Sequence, residues 1–448
     1  MAAQKSGYEL SKRVLFKGEG EIGLQSWLVG DFNNSNTAAG RRKFYYGWII
    51  LLACFVIGVI GVGMRASFGV FFISLEDAFG LTRASTSGVF SVHVLFALVF
   101  AILGGWALDR YGPRKVVIIM GFFTGLSMLL TSQAGVLWHL FVFYSLILAI
   151  GTGASFPVLI AIVSRWFSKR RGLAVGVITA GFSIAVVVMA PLATYLISAY
   201  DWRTSYLVMA FFGFLIVIPL AMLLKKSPDE VAASPEGRKL EATNISSTER
   251  RGHNEQGGFS LFQAAKTRNL WVLFFMWVLN GGSFYTLMTH IVPHVIDLGM
   301  SSAMAASVLS LIGGSSTVGS LLMGRLSDNI GRKKTMVSCS LLMAGAMVWL
   351  IWSQDLWMLY LFAAVFGFAF GGFTAPLSAI PGDSFGLRHL GKIAGVMEAG
   401  WMLGGAFGPV FAGYIFDVRG SYFYAFLAGA IAALASAVLI LLFKATKR

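Results

Sequence analysis

Charge is what this chain has least of. Of its 448 residues only 12% are Asp, Glu, Lys or Arg, about half the share of an ordinary soluble domain. So little charge cannot cover a water-facing surface, which excludes a soluble globule, and the apolar excess excludes a disordered chain. There are two cysteines, Cys54 and Cys339, both inside apolar runs, so a disulfide-built scaffold is excluded as well. Acids are scarcer than bases, 20 against 35. No paired carboxylates, phosphate-binding loop or nucleophile–base arrangement stands within the apolar runs, so no enzyme and no cofactor is expected.

What the chain does have is apolar length. Apolar residues make up 57%, with 52 Gly and 38 Phe, enough for about twelve spans of ~20 residues. Such runs fall at 46–73, 85–108, 116–134, 138–164, 173–199, 203–224, 269–292, 303–324, 335–353, 357–382, 392–416 and 421–443. The expected fold class is an all-α polytopic membrane protein with twelve transmembrane helices lying in a lipid bilayer.

The net charge of +15 then becomes a statement about orientation, with no nucleic-acid partner implied. Of the 35 basic residues, 31 lie in the segments that alternate on the face of the two termini. The opposite loops hold Arg83, Arg203 and Arg419, among Glu76, Asp77, Asp201, Asp297, Asp355 and Asp417. This bias predicts a multi-pass protein of the cell membrane with both termini in the cytoplasm. Residues 1–43 are polar and end in Arg41-Arg42-Lys43, which is not the pattern of a secretory leader. One basic residue, Arg65, remains inside a span.

The two halves of the chain repeat at an offset of 219. Gly80 falls on Gly299, Asp109 on Asp328, Gly112 on Gly331, Trp138 on Trp357, Gly153 on Gly372, Pro157 on Pro376 and Gly176 on Gly395. Six spans were therefore duplicated in one orientation. The expected organisation is a cytoplasmic tail (1–43), a six-helix half (44–225), a polar cytoplasmic linker (226–268), a second six-helix half (269–443) and a short tail (444–448). Parallel repeats related by an axis along the membrane normal place a substrate between the halves near the midplane.

Two motifs carry a family resemblance. Gly104-Gly105-Trp106-Ala107-Leu108-Asp109-Arg110-Tyr111-Gly112-Pro113-Arg114-Lys115 joins spans 2 and 3, and Gly324 to Lys334 repeats it between spans 8 and 9. Both copies resemble the signature loop of the major facilitator superfamily. That resemblance implies gate parts at Asp109, Arg110, Arg114, Asp328 and Arg332, the Asp pairing across the cytoplasmic gate in one state only. Trp166 to Gly181, with Lys169-Arg170-Arg171 and Leu173-Ala174-Val175-Gly176, resembles the signature of monocarboxylate transporters and their oxalate/formate antiporter relatives. Tyr46-Gly47-Trp48 retains only the Gly-Trp end of that branch's other signature. The resemblance implies a monomeric secondary transporter of a small organic anion, a monocarboxylate, working by alternating access as a proton symporter or an anion exchanger. The alternative is a proton-coupled multidrug or cation exporter of the same fold.

Arg65 is the leading site candidate. A central intramembrane Arg costs about 2.5–3.5 kcal/mol on insertion scales, so it needs a reason to be there. Its guanidinium holds its charge and can grip a carboxylate with two parallel hydrogen bonds. Gly58 and Gly61 on the same helical face are expected to open room beside it. The resemblance adds that a basic residue of span 1 contacts substrate in monocarboxylate transporters. Glu398, the one acid deep in a span, is the candidate proton carrier and the natural counter-charge of Arg65. His290 is a candidate for substrate contact or proton handling, with Asn280 and Tyr285 as further cavity donors on span 7. His290 and His294 stand four apart, but Pro293 lies between them and no third ligand is evident, so no metal is assigned. One departure from both related families stands out. Span 8 lacks their usual inward Arg, and span 11 carries Glu398 where the oxalate branch has a Lys. A site with one Arg suits a single carboxylate.

Overall fold

The computed structural model describes residues 46–167, 171–225, 259–385 and 390–443. Both tails, most of the linker, residues 168–170 of the second motif and the side chain of Asp328 lie outside the described residues. Among the described residues, twelve helices are long and apolar enough to cross a membrane. In the first half they are α1 Gly47–Phe79, α2 Arg83–Tyr111, α3 Pro113–Ser132, α4 Leu137–Trp166, α5 Gly172–Ala199 and α6 Trp202–Met222. In the second they are α7 Arg268–Asp297, α8 Ser302–Ser327, α9 Arg332–Ile351, α10 Leu356–Thr374, α11 Lys392–Arg419 and α12 Phe423–Leu442. Helix is the element in which a lipid-embedded backbone satisfies its own hydrogen bonds, so long apolar runs have no open alternative.

The repeat extends to the conformation of single residues. The helices Arg83–Tyr111 and Ser302–Ile330 stand at the offset found in the sequence, as do Pro113–Ser132 and Arg332–Ile351. Thr82 and Ser301, equivalent positions, each cap their helix by accepting from the backbone N–H three residues on. Gly80 and Gly299 both have positive φ, 61° and 83°, and so do Gly112 and Gly331, 81° and 96°. These are tight reversals between helices where a Cβ would be strained, which is why the glycines recur in both halves.

Among the described residues, glycine lets three helix pairs from opposite halves approach to backbone contact. Gly69 of α1 lies against the Met288 and Thr289 backbone of α7, Gly313 of α8 against Ser183 of α5, and Gly413 of α11 against Arg83 and Ala84 of α2. All three contacts sit midway along the helices or toward the end that the charge bias predicts to face outward. Toward the other end, Gly172 and Gly176 of α5 and Gly395 of α11 face open space.

The structure shortens the linker. Ser260 and Gln263 form a reciprocal capping box on a helix at Leu261–Ala265. Just before it, the Phe259 N–H donates to the Phe385 carbonyl at 2.9 Å. From Phe259 onward the chain is therefore docked on the second half rather than linking to it.

Candidate functional site

Arg65 sits where α1 breaks. Its two helical pieces, Gly47–Ala66 and Phe68–Phe79, meet at Ser67, whose hydroxyl bonds back to the Gly63 carbonyl at 2.8 Å. The Tyr144 hydroxyl of α4 reaches the Arg65 carbonyl at 3.4 Å, supplying a partner at the interruption. The Arg65 side chain is half-buried. Among the described residues its guanidinium has no hydrogen bond and no ion pair, and its carbon lies 5.8 Å from the centre of the Tyr285 ring across the interface. Gly58 and Gly61 serve a different end from the one expected. They meet the Phe182 ring and Ser155 Oγ, so they admit α5 and α4 and do not clear a space around the guanidinium.

Tyr285 belongs with Arg65. Its ring is enclosed by Phe90 of α2 at 5.7 Å, Phe284 at 5.4 Å and Trp401 of α11 at 6.0 Å. Glu398 stands three residues before Trp401, one turn along the same face of α11. It is half-buried and has neither a hydrogen bond nor an ion pair among the described residues. Arg65 is the charged group that acts on it electrostatically. An arginine from one half and a carboxyl group from the other thus stand close enough to act on each other electrostatically, each without a hydrogen bond or ion pair among the described residues.

Two sequence candidates point elsewhere. Asn280 donates to Ser436 Oγ at 2.7 Å and to the Met276 carbonyl, so it turns toward α12. His290 is fully buried at the outer end, with Tyr422 OH on Nδ1 at 3.0 Å and the Pro409 carbonyl on Nε2 at 2.9 Å. The carbonyl can only accept, so Nε2 carries the hydrogen and Nδ1 accepts from Tyr422. Neither residue joins Arg65. Among the described residues no group of three or more His, Cys, Asp or Glu is placed to hold a metal ion.

The residue that the sequence reading passed over is Arg83. Counted there as one of three outer-loop bases, it is a buried hub joining the halves. Its Nε pairs with Glu76 at 3.1 Å, Nη2 with Asp297 at 2.8 Å, and Nη1 donates to Tyr422 OH at 2.8 Å. Its backbone N–H and that of Ala84 donate to the two carboxylate oxygens of Asp417, at 2.8 and 2.9 Å. A carboxylate of the second half thus sits at the N-terminus of a helix of the first, where the helix dipole favours it. Phe416 covers the guanidinium, its ring centre 4.5 Å away. Burial raises the Tyr422 hydroxyl above its ordinary range, so it stays protonated and passes its hydrogen to His290. One signal was visible beforehand: the outer loop that holds Asp297 carries no Lys or Arg of its own, so its acid needs a base from another loop.

At the opposite end the first copy of the signature loop pairs within its own half. Asp109 pairs with Arg165 at 2.6 Å within its own half, and both side chains are open to solvent. Arg110 stacks over Trp106 and Tyr111. Arg114 is exposed, and Arg332 opens the helix of α9. Among the described residues Asp109 thus bonds within its own half, whereas Arg83 joins the two halves.

Comparisons with known proteins agree with this layout. The family model described as Major Facilitator Superfamily matches residues 51–319 and 291–448. Monocarboxylate transporter 13 of Bos taurus is 29% identical over 410 residues, 89% of each chain. Monocarboxylate transporter 12-B of Danio rerio is 24% identical over 421 residues, 88% of this chain and 86% of the relative. A bacterial homolog of the human lysosomal transporter Spinster, solved in an inward-facing and unoccupied conformation, superposes with a TM-score of 0.70. It covers 90% of this chain and 96% of its own at 16% identity, a likeness of fold.

Proposed function

Because the chain belongs to the major facilitator superfamily, whose members transport rather than catalyse, we propose that it carries a monocarboxylate across the membrane by alternating access. One observation carries this reading: beside the break in its helix, Arg65 meets the Tyr285 ring of the other half and has no ion pair among the described residues. A half-buried charge left unpaired carries a desolvation cost, and a substrate carboxylate bound through two charge-assisted hydrogen bonds would answer it. The names of the related transporters point the same way. Glu398 is the coupling group, taking a proton in one state and releasing it in the other, so that substrate and proton move together. Arg83 is the outer latch, which must release Glu76, Asp297 and Asp417 before the site can open outward.

The test is uptake in proteoliposomes. Arg65→Gln should abolish carboxylate uptake while leaving the folded fraction intact, and unchanged uptake would overturn the clamp. The free carboxyl of Glu398 also favours a second reading, a proton-coupled exporter of lipophilic cations. That reading predicts that cations, and not carboxylates, raise the melting temperature of the purified protein.

A further inference from the structure

The ring that Arg65 faces belongs to a larger aromatic surface. Behind Tyr285, Trp401 lies 5.6 Å from Phe284 and 6.0 Å from Phe370. Phe284 and Phe370 stack at 4.2 Å with planes 12° apart. Four rings from α7, α10 and α11 thus make one continuous wall. Phe284, Phe370 and Trp401 remain partly exposed, whereas aromatic side chains closer to the outer latch, such as Phe72 and Phe426, are fully enclosed. The wall is built by close backbone approach. Gly281 lies against the Trp401 backbone and Gly405 against the Tyr285 ring, so α7 and α11 touch directly. It lies on the side of the site that bears Glu398, and Tyr285 is its point of contact with Arg65.

An acetate-sized anion would satisfy Arg65 and leave this wall unused. A ring one or two bonds from a carboxylate would reach it, since the guanidinium and the nearest ring centre are 5.8 Å apart. Aromatic faces prefer rings to saturated bulk through offset and edge-on stacking. Such an anion brings no positive group, so it leaves the Glu398 carboxyl free for its proton. We propose that the substrate is an aromatic monocarboxylate, held by its carboxylate at Arg65 and by its ring on the wall of Phe284, Tyr285, Phe370 and Trp401. This rests on the reading of Arg65 as the carboxylate clamp.

Three probes of equal charge separate the terms: acetate, cyclohexylacetate and phenylacetate, titrated against the melting temperature of the purified full chain. Phenylacetate should half-saturate at a concentration about tenfold below cyclohexylacetate, the factor expected of one or two added ring contacts, and acetate should be weakest. Trp401→Leu should narrow the gap between phenylacetate and cyclohexylacetate severalfold, while Trp401→Phe should largely keep it. Equal wild-type binding of those two acids, or a gap that Trp401→Leu leaves unchanged, would overturn the aromatic assignment and leave the clamp standing. Phenylacetate binding unchanged in Arg65→Gln would overturn the clamp, and the assignment with it. If Trp401→Leu does not fold, the wild-type and Trp401→Phe series still decide.

Discussion

Arg65 and Arg83 both meet the opposite half of the chain, and they are built in opposite ways. Arg83 is enclosed, with Glu76, Asp297 and Tyr422 on its side chain and Asp417 on its backbone N–H. Arg65 is half-buried, and among the described residues its guanidinium lies over the face of Tyr285 with no hydrogen bond or ion pair. Both carry a fixed charge, so the difference lies in what surrounds them. A charge with all its partners supplied by the protein holds the protein together, and a charge with none is left for something that arrives. In the proposed reading the first marks which side of the transporter is closed, and the second binds what it carries.

The comparison can be broken from either side. The largest effect is expected at Arg83→Gln, which removes the charge-assisted bonds to Glu76, Asp297 and Tyr422 and forfeits on the order of 3 kcal/mol from the contacts that join the halves there. Cysteines placed along the outer half of α1 or α7 should then label from outside at least a hundredfold faster, and unchanged labelling would remove Arg83 as the latch. At Arg65 a milder change sharpens the point. Arg65→Lys keeps the charge and loses the planar fork, so carboxylate affinity should fall about tenfold, measured as competition in uptake. A complete loss would say that fork geometry outweighs charge. Glu398→Gln should have the smallest effect on binding. It should flatten the response of uptake to an imposed pH gradient while leaving carboxylate exchange in place, and a gradient response like that of the wild type would exclude Glu398 as the proton carrier.

Much of the fold was legible in the sequence because lipid leaves the backbone so few options. Apolar length required helices, and the duplicated glycines fixed where the chain turns, as the matching φ angles of Gly112 and Gly331 make plain. The site was legible only in part. Arg65 and Glu398 could be picked out as candidates because a charge within an apolar run has no bland neighbour to explain it. Asn280 did not, because polarity alone does not say which way a side chain points. Five residues separate it from Tyr285, roughly 140° around a helix at 100° per residue, so the two could not share a wall, and Asn280 bonds to Ser436 instead. Arg83 was hidden for the opposite reason. A base in an acidic outer loop reads as solvated, and only the approach of α2 to α11 buries it.

The central claim is that Arg65 is left unpaired for the substrate. Calorimetric titration of the purified protein with a panel of monocarboxylates, comparing wild type, Arg65→Gln and Arg83→Gln, tests it most directly. Two charge-assisted hydrogen bonds are worth about 3–6 kcal/mol, so Arg65→Gln should weaken carboxylate binding at least a hundredfold, while Arg83→Gln should still bind. Carboxylate binding by Arg65→Gln at wild-type strength would contradict the account.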